Sequence, residues 1–98
     1  MPRFMIERDF GKVSDREMLD FALRSDRVAA ESFPDVVWEH SHVCALSDGT
    51  VTTYCVYTAP NADRVREHAE AFGGHVVTKI HTIVDDITPE EVHRRAST

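Results

Sequence analysis

The chain has 98 residues, 42% of them hydrophobic and 29% charged, which suits one globular domain (residues 1–98) and excludes both a two-domain protein and a disordered one. Its formal net charge of -6 weighs against a nucleic-acid binder and against docking on an anionic membrane, both of which need clustered Lys and Arg. Two cysteines are too few for a disulfide scaffold, so a cytoplasmic location is the expectation.

The opening residues carry Arg3, Glu7, Arg8 and Asp9 and lack the apolar centre of a secretory leader. No run approaches the roughly 18–20 apolar residues of a membrane span. Arg3 to Arg8 reads as a short strand ended by Gly11. Ser14-Asp15-Arg16-Glu17 is a capping box, in which the Ser hydroxyl and the Glu carboxylate each accept from a free backbone N–H. A helix follows, with Met18, Phe21, Ala22, Ser25, Val28, Ala29 and Phe33 on one stripe, and Pro34 ends it. Val36–Leu46 and Val51–Thr58 are rich in β-branched and aromatic residues and flank Asp48-Gly49, a hairpin tip. Asn61 caps a second helix whose stripe is Ala62, Val65, Ala69 and Phe72, closed by Gly73-Gly74. Val76–Val84 is the last strand, and Thr88-Pro89-Glu90-Glu91 starts a short helix or tail over 88–98.

The order βαββαβ predicts an α+β, ferredoxin-like fold: a four-stranded antiparallel sheet with two helices on one face and the other face bare. Strand side chains alternate between faces. A two-residue tip at Asp48-Gly49 sets His42 opposite Cys55 and His40 opposite Tyr57. The bare face is then expected to carry Trp38, His40, His42, Cys44, Val51, Thr53, Cys55 and Tyr57, with Met5 and Glu7 from the first strand and His81 and Ile83 from the last. The helices would cover Glu39, Ser41, Val43, Tyr54 and Val56, together with Phe4, Ile6, Ile80 and Thr82.

Such a face is too apolar to leave in water, so two copies are expected to stack face to face as a dimeric α/β barrel. Imidazole, thiolate and carboxylate from His40, His42, Cys55 and Glu7 suit a divalent ion such as nickel, zinc or copper. Trp38, Tyr57, His68 and His81 are the candidate pocket residues around it. A structural hydrogen bond is favoured over a ligand role for His68, while His75 reads as a solvated loop residue and Glu7-Arg8 as an ion pair at a strand end.

The segments Phe4-Met5-Ile6-Glu7-Arg8, Trp38-Glu39-His40-Ser41-His42-Val43, Tyr54-Cys55-Val56-Tyr57-Thr58-Ala59-Pro60 and Val65-Arg66-Glu67-His68-Ala69 together resemble a family of small bacterial proteins of unknown function. That family includes nickel-binding, nickel-responsive members from actinobacteria. The resemblance implies a ferredoxin-like fold, a homodimer and a metal site near the interface, and it favours nickel. It carries over to Glu7, His40, Ser41, Cys55, Tyr57 and His68. The chain departs from the family pattern at His42, where Tyr is usual, and at Gly73-Gly74-His75, where a Gly-Phe-Pro turn is common.

Three functions compete. The first is a non-catalytic metal-binding protein for storage or response. The second is a small dimeric barrel enzyme of monooxygenase or isomerase type, with His40 or His42 as acid or base in the sheet–helix pocket or the barrel interior. The third is a plain interaction module.

Overall fold

The computed structural model describes residues 1–97; Thr98, the last residue of the expected tail, lies outside the described residues. The elements run β1 (Arg3–Gly11), α1 (Asp15–Ser32), β2 (Val37–Ala45), β3 (Val51–Thr58), α2 (Ala62–Phe72), β4 (Val76–Ile83) and α3 (Pro89–Ala96). The four strands form one antiparallel sheet in the order β2-β3-β1-β4. Local chemistry places the helix ends as the sequence predicts. Ser14 and Glu17 close a complete capping box on α1, the Asn61 side chain accepts from Arg64 N, and Thr88 caps α3 with Pro89 in its first turn.

β1 runs three residues beyond Arg8, because Asp9 and Gly11 still pair with β3. Phe4, Ile6, Arg8 and Phe10 therefore form one inward series, and all four are buried. Beneath the helices, Phe4, Ile6, Cys55, Tyr57, Ala59, Val65 and Ala69 make the core, with Ile80 and Val77 packed against it. Burying one such aliphatic side chain contributes about 1.5–3 kcal/mol.

The hairpin differs from the expected register by one residue. Leu46 N donates to Thr50 O and Gly49 N to Leu46 O, so Ser47-Asp48-Gly49 is a three-residue loop, with Gly49 at φ +85°. The Asp48 carboxylate accepts from both the amide and the hydroxyl of Thr50 and holds this longer turn. One extra turn residue moves every later pairing by one: Ser41 lies opposite Cys55, and His42 opposite Tyr54. A second shift, between Trp38 and His40, is a bulge at Glu39. It sets Trp38, rather than the expected His40, opposite Tyr57.

The faces are corrected accordingly. Cys55, Tyr57, Thr53 and Trp38 lie on the helix side, not on the open one. Tyr54 and Val56 take their places on the open side. The expected parity of β1 and β4 holds: Phe4, Ile6, Ile80 and Thr82 face the helices, and Met5, Glu7, His81 and Ile83 face away.

α1 packs chiefly on α2 and stands off the outer half of the sheet. The edge strand β2 is exposed along most of its length, and Leu19 and Leu23 of α1 are about half exposed. The radius of gyration, 15.1 Å, exceeds the roughly 13 Å of a compact domain this long. Among the described residues no helix is long and apolar enough to cross a membrane.

Candidate functional site

The open face presents chemistry on its outer strands. His40 and His42 alternate on β2 with their ring centroids 5.4 Å apart, and both are exposed. Two imidazoles that share an ion through nitrogens about 2.1 Å away, at a tetrahedral angle, have ring centres about 5.2 Å apart. The His40–His42 centroid separation is close to that value. Cys44 continues the same series, partly buried and free. Three alternate residues on an extended strand lie in a line, so they cannot all converge on one point. Among the described residues no three His, Cys, Asp or Glu side chains form a ligand cluster.

Glu7 shares the open face but not the histidines' position. Tyr54 stands between it and His42 in the cross-sheet row. Its carboxylate turns instead to β4, where Oε1 lies 3.2 Å from His81 Nε2, and Thr78 Oγ1 lies 3.4 Å from Oε2. Arg3 closes one end of this face with a bidentate pair to Glu39 and a contact to Asp86. The expected set His40, His42, Cys55 and Glu7 thus does not meet within one chain. Cys55 is on the opposite side of the sheet, where its thiol donates to Thr53 Oγ1 at 3.4 Å. Glu7 is two strands from the histidines and engaged elsewhere.

The helix side holds a cavity of about 410 Å³ between α1 and the sheet. Trp38 and Tyr57, two of the expected pocket residues, line it. Trp38 Nε1 donates to Ser41 Oγ across the bulge. At its floor Arg8, 3% exposed, donates from Nη2 to Tyr57 Oη at 3.0 Å. Its guanidinium also lies over the rings of Phe72 and Tyr57. Among the described residues no other acceptor reaches that guanidinium, and its Nε is buried without a partner. Glu7-Arg8 is therefore no ion pair: the two side chains leave the strand on opposite faces.

His68 lies behind this floor and is fully buried. Its Nε2 donates to the Ser25 carbonyl at 2.9 Å, which confirms the structural hydrogen bond expected of it. Ser25 Oγ sits 3.5 Å from both His68 Nε2 and Tyr57 Oη. Burial pushes the His68 imidazole below its ordinary range, the Ser25 bond opposes this, and the charge of Arg8 adds to it. His75 is not a solvated loop residue. It stacks on Phe10 at 5.0 Å and on Phe72 at 4.6 Å, and burial lowers it too. His81, expected in the pocket, belongs to the open face. Neither His40 nor His42 reaches the sheet–helix cavity. Arg8 and Ser25 are the residues that sequence reasoning passed over; the inward series Phe4, Ile6 was the signal for Arg8.

The strand order, the two helices on one face and the imidazole-bearing open face define a ferredoxin-like α+β domain. The chain belongs to the family described as nickel responsive protein SCO4226-like, whose model matches residues 4–83. It is similar to the crystal structure of SCO4226 from Streptomyces coelicolor A3(2), with a TM-score of 0.70 at 22% identity, over 87% of this chain and 99% of that one. It also shares its fold with the C-terminal domain of the MgtC protein from Mycobacterium tuberculosis, with a TM-score of 0.56 at 6% identity, over 85% of this chain and 86% of that one. No curated protein matches the chain.

Proposed function

We propose that this chain is a small metal-binding protein that responds to nickel or a related divalent ion, taken up on the open face of its sheet between two copies. The observation that carries the reading is the His40–His42 pair, spaced for one ion and exposed to receive it. The family name supports nickel. Imidazole donors suit nickel, zinc and copper alike. Two imidazoles do not complete a coordination sphere, and no third ligand converges on them within the described residues. A second copy stacked on the open face offers the same His40, His42, Cys44, Glu7 and His81, so dimerisation would supply the remaining donors. In this arrangement Cys44 takes the role that the sequence assigned to Cys55.

Titration of untagged protein with nickel, followed by calorimetry and light scattering, tests this. The expected result is ion uptake coupled to a homodimer, with His40→Ala and His42→Ala each weakening affinity at least tenfold and Cys55→Ser leaving it unchanged. Full affinity in the His40→Ala/His42→Ala double variant would sink the reading.

A further inference from the structure

We infer that the cavity between α1 and the sheet is a binding site for a small amphipathic carboxylate, its anionic head on Arg8 and its apolar body toward the cavity mouth. This site is separate from the open face and does not depend on the metal reading.

The argument starts from the cost of Arg8. A buried guanidinium without a counter-ion is expensive, and folded proteins pair such groups or leave them in water. The ion-paired arginines, Arg3, Arg16, Arg64, Arg94 and Arg95, meet carboxylates at the surface. Arg8, at 3% exposure, has one neutral partner in Tyr57 and the faces of two rings. The titratable groups that act on its neighbourhood are the imidazoles of His68 and His75 and the guanidinium of Arg24, none of them acidic. Asp15 is the single carboxylate residue on the cavity lining; it is exposed in the first turn of α1 and makes no ion pair with Arg8. The floor is therefore a positive, dehydrated spot with unused N–H donors.

The rest of the cavity selects the body of the ligand. Its wall is mostly apolar, with Met18, Leu19 and Ala22 on α1 facing Val43 and Trp38 on β2. Leu19 and Val43 are half or more exposed at the mouth, as a tail-contacting rim would be. A volume of about 410 Å³ lies within the roughly 300–1,000 Å³ of small-molecule sites. A carboxylate suits the guanidinium fork better than a neutral head, because charge-assisted bonds are about twice as strong. Tyr57 Oη, which accepts from Arg8 and lies 3.5 Å from Ser25 Oγ, adds a hydroxyl beside the same head.

Octanoate and 3-phenylpropionate are suitable probes, with octanamide as the neutral control. Trp38 is the sole tryptophan and lines the site, so its fluorescence reports occupancy alongside calorimetry. The expected result is saturable binding of at least one acid, at least tenfold tighter than the amide; which acid wins tells whether the body is aliphatic or aromatic. Arg8→Gln should remove the preference for acid over amide. Ala22→Phe, which fills the cavity and leaves Arg8 intact, should abolish binding. Should Arg8→Gln fail to fold, the acid–amide comparison on the unaltered protein still decides. Equal affinity for acid and amide, no saturable binding at millimolar ligand, or undiminished binding in Ala22→Phe would each overturn the inference.

Discussion

The two faces of this sheet are made by the same four strands and carry opposite kinds of polar chemistry. On the open face, His40 and His42 stand exposed on an edge strand with their rings edge to face. On the helix face, Arg8, Tyr57, Ser25 and His68 are buried and interlocked. The contrast separates two uses of imidazole. An exposed pair can exchange an ion with solvent. A buried one is kept neutral by desolvation and contributes to packing.

The sharpest way to break this contrast is a matched pair of truncations on β1. Ile6 is fully buried on the helix face, so Ile6→Ala should cost about 2–5 kcal/mol in urea unfolding. Its neighbour Met5, on the open face and only partly buried, should cost less than half as much in Met5→Ala. If the proposed dimer forms, the Met5→Ala cost should grow with protein concentration, because a second copy then covers that side chain. Equal costs at low concentration would contradict the assignment of the two faces.

A gentler version removes hydroxyls. Tyr57→Phe deprives the buried Arg8 of its one hydrogen-bond partner and should cost about 1–3 kcal/mol. Tyr54→Phe, opposite His42 on the open face, should stay within about 0.5 kcal/mol.

The imidazoles of the helix face should also set an acid limit on stability. His68 and His75 bind protons less readily folded than unfolded. Their contribution is fully present above the ordinary imidazole value, about 6.5, and is lost as pH falls from there through their lowered folded values. Urea midpoints measured at about pH 7.5 and about pH 5.5 should therefore fall toward acid, and His68→Phe should flatten the dependence. An unchanged slope in that variant would remove His68 from the explanation.

The mildest test leaves the sequence intact. A thiol reagent should modify Cys44 in the native protein, while Cys55, 4% exposed, should react only on unfolding. The opposite order would return Cys55 to the open face.

Local chemistry made much of this legible. The capping box at Ser14, the caps at Asn61 and Thr88 and the stripe of α2 act within a few residues, so the order of elements and the fold class follow from them. The inward series of β1 needed only alternation, as did the outward placement of His40 and His42. What failed was the partnership of the hairpin. Asp48-Gly49 announces a turn but not its length, and whether Ser47 joins the loop is settled by which residues of the two strands pair, Leu46 with Thr50 here. The bulge at Glu39 is equally silent in sequence; the Arg3–Glu39 pair, between residues 36 positions apart, forms beside it.

Sequence alone thus determined which residues are strands and helices and which side chains share a face within one strand, because propensity and alternation are local. Only the tertiary structure decided which face of one strand joins which face of the next, and so moved Cys55, Trp38 and Tyr57 beside Arg8. The reason is that register between strands depends on turn length and bulges, and a one-residue difference there exchanges the two faces completely.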